Sequence, residues 1–267
     1  MPKPLVTDEL WAVVGPLLPP QPPKPKGGRP RVPDRAALTG ILFVLKTGVP
    51  WEMLPQEMGC GSGMTCWRRL KEWHEAGVWA RLHRTLLDRL GEADRIDWSR
   101  ASLDSAAVPA PRGGEKTGPN PTDRGKQGSK RHLVVDREGV PLALIHTGAN
   151  VHDSKMLEEV MDAIAPIRRP RGRPRKRPEK LHADKGYDFG RCRKALRERG
   201  IKSRIARRGI EPSERLGRHR WVVERTLSWL NRFRRLKVRY ERRADIHQAF
   251  LELGCALICW RYMERFC

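Results

Sequence analysis

Apolar residues in the first 95 positions recur with helical spacing. Thr7 precedes Asp8-Glu9-Leu10-Trp11, a cap followed by acids in a first turn, and this helix is expected to end before Pro19-Pro20. The segment from Pro19 to Pro33 is rich in Pro, Lys and Gly and reads as a linker. Asp34 opens an apolar helix carrying Ala37, Leu38, Ile41, Leu42, Val44 and Leu45, which stops at Gly48 and Pro50. A glycine-rich turn at 59–63 leads to a helix from Met64 to Ala76, and Gly77 separates it from another at Val78–Leu90. Two helices across a short glycine turn suit a helix-turn-helix.

Past Ile96 the period changes. Ser102–Val108 is a short strand candidate, and the stretch from Pro109 to Lys130 is too polar to be buried. Arg131–Asp136 and Val140–His146, divided by Arg137-Glu138-Gly139, form a hairpin pattern. A helix at about Asp153–Ile164, a basic loop from Arg168 to Lys180 and a strand at Leu181–Asp184 follow. The remainder reads as a helix near Phe189–Arg199, a strand at Lys202–Ala206, a long helix at about Arg220–Leu236 and an apolar helix at Ile246–Phe266. The expectation is an all-helical domain at 1–95, with its linker at 19–33, and a mixed α/β domain at 96–267, with its basic loop at 168–180.

Charge narrows the function. The 54 Lys and Arg against 31 Asp and Glu leave a net +23 and a pI near 10.6 over 267 residues. Such a surface gains counterion-release free energy on a phosphate backbone, whatever its base sequence. No span has the length of a membrane helix, Met1-Pro2-Lys3-Pro4 lacks an apolar leader, and the six scattered cysteines form no C-x-x-C pair. A cytoplasmic, nucleoid-associated protein with reduced thiols is expected. Arg68, Arg69 and Lys71 lie on the second helix of the helix-turn-helix pair, where they would either read DNA or form a solvated basic face. Five of the nine tryptophans fall in this third of the chain and are expected in its core rather than on a stacking platform.

Three acids occupy unusual places. Asp104 sits mid-strand among small residues, Asp184 ends a later strand, and Glu224 lies in a helix beside Trp221, Val222 and Val223. Aspartate is disfavoured inside strands, and a buried carboxylate needs a metal or a cationic partner. Each acid alone could be an ordinary ion pair. Together they suit phosphoryl transfer, in which two divalent ions clamp the attacking and leaving oxygens and Mg²⁺ prefers a few carboxylates. On that reading Asp104 bridges both ions, while Asp184 and Glu224 each complete one site.

The segments Leu103-Asp104-Ser105, 125–132, Ala149-Asn150-Val151-His152-Asp153-Ser154, Ala183-Asp184-Lys185-Gly186-Tyr187-Asp188 and Arg220-Trp221-Val222-Val223-Glu224-Arg225-Thr226 resemble the DDE transposases of bacterial insertion sequences, closest to the insertion sequence five family. The leader segments around Trp11, Gly28-Arg29-Pro30-Arg31 and Thr47–Trp51 are similar as well. The resemblance runs over nearly the whole chain in the family's order. It implies a ribonuclease-H-like mixed-sheet core, preceded by a helix-turn-helix-type DNA-binding domain. It also implies catalytic and metal-holding roles for Asp104, Asp184 and Glu224, with two Mg²⁺ per site and Mn²⁺ as a substitute.

Such proteins often carry a tyrosine and an arginine before the glutamate and a lysine after it. Arg220 matches the arginine, while Gly217 and Asn231 stand where the others would be, with Arg232 beside Asn231. Arg220 would contact DNA phosphate or simply pair with Glu224 one turn on. Lys126 and Lys130 are expected to approach DNA or to remain solvated. Arg171 and Arg173 share a Gly-Arg-Pro pattern with residues 28–31 and are candidates for a narrow minor groove. Asp153 and Asp188 read as helix caps, and His152 and His182 as structural histidines near the site. The expected function is binding of the element's terminal inverted repeats, DNA cleavage and strand transfer, by a homodimer holding two ends. A transposase-derived binding protein and a nuclease without strand joining are the alternatives.

Overall fold

The computed structural model describes residues 4–21, 27, 30–210 and 213–266, the side chains of 213–218 and 266 excepted. Gly28 and Arg29 of the first Gly-Arg-Pro segment therefore lie outside the described residues. Thr7 caps α1 (Asp8–Val14) by accepting from the Leu10 amide. The apolar α2 (Asp34–Thr47) ends at Gly48, and Ser62 caps α3 (Gly63–Glu75). Gly77, at φ +70, makes the left-handed turn into α4 (Val78–Glu92). Trp73 and Trp79 meet edge to face at 5.7 Å across this turn, and the Trp79 indole donates to the Leu70 carbonyl. Both rings are buried, as expected of core tryptophans.

The sheet contains β1 (Ala101–Pro109), β2 (Gly118–Pro119), β3 (Gln127–Asp136), β4 (Pro141–Gly148), β5 (Lys180–Ala183) and β6 (Lys202–Ile205). β1 runs antiparallel to β3 on one side and parallel to β5 on the other. β4 and the short β2 pair the far side of β3, and β6 runs parallel beyond β5. An antiparallel trio joined to two parallel strands is the ribonuclease-H-like arrangement. Asp136 closes the β3–β4 turn by accepting from the Glu138 and Val140 amides.

Helices α5 (Leu157–Asp162), α6 (Gly190–Glu198), α7 (Ser213–Asn231), α8 (Arg234–Lys237) and α9 (Ala244–Phe266) complete the chain. The single long helix expected at 220–236 is instead α7 and α8, separated at Arg232-Phe233. β3 begins at Gln127, so Lys130 belongs to a strand and not to the preceding polar loop. α9 packs on α3, α4 and β4, and Trp51 stacks on Phe250 at 5.8 Å. One continuous apolar cluster thus joins the leading helices to the sheet. The loop after Ile167 docks on α4: the Arg168 amide donates to Asp88, and a Cβ at Gly91 would lie 2.0 Å from the Arg168 carbonyl.

Candidate active site

Strand register places two acids together. Ser102 pairs with His182 in the parallel β1–β5 ladder, and Asp104 and Asp184 each lie two residues beyond that pair, Asp104 within β1 and Asp184 just past the end of β5. Asp104 is half-buried on the central strand, and its Oδ1 accepts the Ser105 amide at 2.7 Å. Asp184 follows β5 directly and caps the 3₁₀ turn Lys185–Tyr187, accepting the Gly186 amide at 2.8 Å. α7 lies over β1, fixed by a 3.0 Å hydrogen bond from the buried Ser102 hydroxyl to the His219 carbonyl. One residue on, Arg220 reaches 3.8 Å from Asp184 and 3.5 Å from Glu224.

Arg220 is the cation among the acids. Its side chain is 16% exposed, against 38% for Asp184 and 54% for Glu224, so the pairs are partly screened. Burial pushes Asp104 up to about 6; the Ser105 amide and Arg220 oppose the rise, while the negative charges of Asp184 and Glu224 add to it. Among the described residues no three His, Cys, Asp or Glu side chains converge closely enough to hold a metal ion. The donors nevertheless fit a hard divalent cation: three carboxylates face one guanidinium, and the most buried of them is driven towards protonation by its burial, to which its acidic neighbours add.

Behind this group lies a polar knot. Asp153, read from sequence as a helix cap, instead accepts from the Ser105 hydroxyl at 2.8 Å and pairs with the Lys130 ammonium at 3.0 Å. The cap of that turn is His152, whose ring accepts the Ser154 amide. Lys130 also donates to the Val151 carbonyl, so its ammonium is spent within the protein. Asp188 does not cap the following helix, whose capping position is Phe189; it pairs with Arg193 at 2.6 Å. The His182 ring lies 4.9 Å from that of His219, tilted by 56°, and burial followed by that neighbour lowers it to about 4.

The basic candidates divide by accessibility. Arg68, Lys126, Arg171, Arg173 and Arg232 are exposed. Lys71 pairs with Glu75 at 2.9 Å along α3. Arg69, grouped with Arg68 on sequence, is only 4% exposed: it binds Asp34, donates to the Val32 carbonyl and lies 5.9 Å from the Trp73 ring. It braces the start of α2 and presents nothing to a ligand. Arg31 likewise pairs with Glu72, at 2.6 Å. The sequence reading also passed over Tyr187, buried within the Asp184 turn.

Residues 99–259 match the family model described as Transposase DDE domain, and residues 6–83 match a model for transposases of the IS4/5 family, DUF4096. The chain belongs to the DDE transposases. It is 59% identical over 153 residues to a protein assigned as the transposase of insertion sequence element IS402 from Burkholderia cepacia, covering 57% of this chain and 72% of that one. The transposase for insertion sequence element IS1106 of Neisseria meningitidis serogroup B is 30% identical over 129 residues, 45% of this chain and 40% of its own. The crystal structure of the Mos1 strand transfer complex aligns over 89% of this chain and 81% of that one, at 11% identity and a TM-score of 0.30, too slight a likeness to carry an argument. No helix among the described residues is long and apolar enough to cross a membrane.

Proposed function

We propose that this DDE transposase binds the terminal inverted repeats of its element, cleaves the DNA at their ends and joins the released 3′-hydroxyl to target DNA. The observation that carries this reading is the gathering of Asp184 and Glu224 about Arg220, beside the half-buried Asp104. Asp104, Asp184 and Glu224 would hold the divalent ions, Mg²⁺ or Mn²⁺. When bound, these supply the charge that stabilises in-line displacement at a phosphodiester.

The chain's own groups position and neutralise. Ser102 keeps α7, and with it Glu224, over the strand of Asp104. Arg220 holds positive charge against the acids and would contact a DNA phosphate beside them. Arg68, Lys71, Lys126, Arg171, Arg173 and Arg232 contribute duplex contacts, the helices of 1–95 forming the DNA-binding domain and 96–267 the catalytic one. Two ends held at once require a homodimer, working in the bacterial cytoplasm on nucleoid DNA.

Incubation with Mg²⁺ and a terminal-repeat duplex tests the reading. Cleavage at the repeat end by the wild type, abolished in Asp104→Asn and Glu224→Gln, is expected. Full cleavage by either variant overturns it. A plasmid added with a pre-cut 3′-hydroxyl end separates the two enzymatic readings: joined products require a transposase, whereas nicks alone make this a nuclease.

A further inference from the structure

We propose that Arg225 is a positioning residue for Glu224: its guanidinium, held between Trp221 and Trp229, latches α7 to the β3–β4 turn and so fixes how Glu224 faces Asp104. The inference rests on the metal-holding role proposed above for the acidic trio.

The Glu224 side chain is 54% exposed, and its ion pair is with Arg220, one turn back on the same helix. Its place over the sheet is therefore that of α7 itself. The Ser102 bond to His219 anchors the helix on one side of Glu224. A helix held at one point can still roll about it, and a roll carries an outward side chain further than the backbone. A second anchor, beyond Glu224, removes that freedom.

The two residues after Glu224 supply it. Arg225 donates to the Glu138 carbonyl, and the Thr226 hydroxyl donates to the Gly139 carbonyl at 2.8 Å. Tyr262 of α9 donates to the same Glu138 carbonyl at 2.6 Å. Three side chains can converge on this turn because Gly139 has none. A Cβ there would lie 2.8 Å from the Arg225 guanidinium, 3.0 Å from the Thr226 hydroxyl and 3.3 Å from that of Tyr262. The turn is itself held, since Asp136 accepts from the Asp97 amide at 2.9 Å as well as from the Glu138 and Val140 amides.

The guanidinium is preorganised for this bond. Trp221, Arg225 and Trp229 follow one another at intervals of four along one face of α7. The Arg225 Cζ lies 4.6 Å from the ring centre of each tryptophan. Stacking on planar rings limits the directions its donors can take. Its Nε is buried, with no hydrogen-bond partner among the described residues. A guanidinium covered in this way is poorly placed for a DNA phosphate, in contrast to the exposed Arg68 and Arg232. The stack also gives a use to Trp221, whose indole is left 49% exposed.

The experiment reads Mn²⁺ affinity by electron paramagnetic resonance on the full chain without DNA. Arg225→Ala is expected to bind Mn²⁺ about tenfold more weakly, as when a group that orients a metal ligand is lost. Arg225→Lys, which keeps the charge and a donor, should recover part of that loss. Trp221→Ala should weaken binding less, with an unchanged thermal midpoint, and should add nothing in the Arg225→Ala background. If Arg225→Ala fails to fold, Trp221→Ala decides: weaker Mn²⁺ binding supports the latch and unchanged binding overturns it. Tyr262→Phe is the structural control, since it gives up a bond to the same Glu138 carbonyl. Its metal-free thermal midpoint should fall while its Mn²⁺ affinity stays. Equal losses of affinity in Tyr262→Phe and Arg225→Ala overturn the proposal, because the turn would then serve stability alone. Unchanged Mn²⁺ affinity in Arg225→Ala overturns it too, whatever becomes of its midpoint. Asp104→Asn separates the two readings: if it binds Mn²⁺ as tightly as the wild type, the metal reading falls and the latch with it. If it binds weakly while Arg225→Ala binds normally, only the latch falls.

Discussion

The Ser102 hydroxyl donates a 3.0 Å hydrogen bond to the carbonyl of His219, 117 residues away in sequence. Ser102 lies two positions before Asp104, and His219 lies five before Glu224 in the same helix. Together with the 2.8 Å bond from the Thr226 hydroxyl to the Gly139 carbonyl, this bond sets where the third acid stands relative to the first. Ser102→Ala should cost about 1 kcal/mol of stability, as for an ordinary intramolecular hydrogen bond. Cleavage should fall by more than that loss accounts for, because α7 is freed to shift. Urea unfolding alongside a cleavage assay measures both; equal, small effects would show that the helix is placed by packing alone.

Arg220 supplies positive charge to Asp184 and Glu224. Arg220→Gln therefore leaves the three acids repelling one another and more attractive to a divalent ion. Mn²⁺ should bind the variant several-fold more tightly at low salt, while metal-free stability falls and DNA cleavage is impaired. Weaker Mn²⁺ binding would mean that the guanidinium organises the ligands and does not compete with the metal.

Asp104 titrates near 6 in the folded protein, against 3.8 for the free side chain. A carboxyl raised in this way holds its proton more tightly when folded. Its stabilising contribution is present below about pH 4 and is lost as pH rises to about 6, by at most about 3 kcal/mol. Metal-free wild type should lose stability across that window relative to Asp104→Asn, which lacks the titration. Denaturant midpoints for the two proteins from pH 4 to 7 give the comparison, and parallel curves would contradict the burial of this acid.

Arg68 and Arg69 are adjacent, yet their substitutions should separate cleanly. Arg69→Ala strands the Asp34 carboxylate, which is only 16% exposed, and should cost about 3 kcal/mol as in other broken, largely buried pairs. Arg68→Ala should leave stability unchanged and reduce both DNA affinity and its salt slope. Filter binding at several salt concentrations, set beside unfolding curves, distinguishes them; similar behaviour of the two variants would refute the assignment.

That contrast also marks what the sequence made legible. Cys66, Leu70 and Trp73 lie on the buried face of α3, and Arg69 falls on the same face by helical spacing. Charge suggested DNA; periodicity, followed strictly, points inward. Asp104 and Asp184 were readable because a strand interior and a strand end are distinctive places for aspartate. Their nearness was not, since it comes from parallel pairing between segments 80 residues apart. The role of Asp153 escaped for a related reason: a local cap and a long-range acceptor look alike in sequence, and only the folded sheet brings Ser105 and Lys130 to it. The break at Arg232-Phe233 was hidden because the apolar pattern runs through it into α8, with Phe233 and Leu236 both buried.

The position of α9 has a consequence for synthesis. The helices of the first third are synthesised early, but the surface that covers α3 and α4 is made only after the whole sheet, at residues 244–266. Their apolar flank stays uncovered until that helix has been made. The leading helices and α9 must then meet for either to be buried, and a chain that stops before residue 244 would leave the apolar flanks of α3 and α4 exposed.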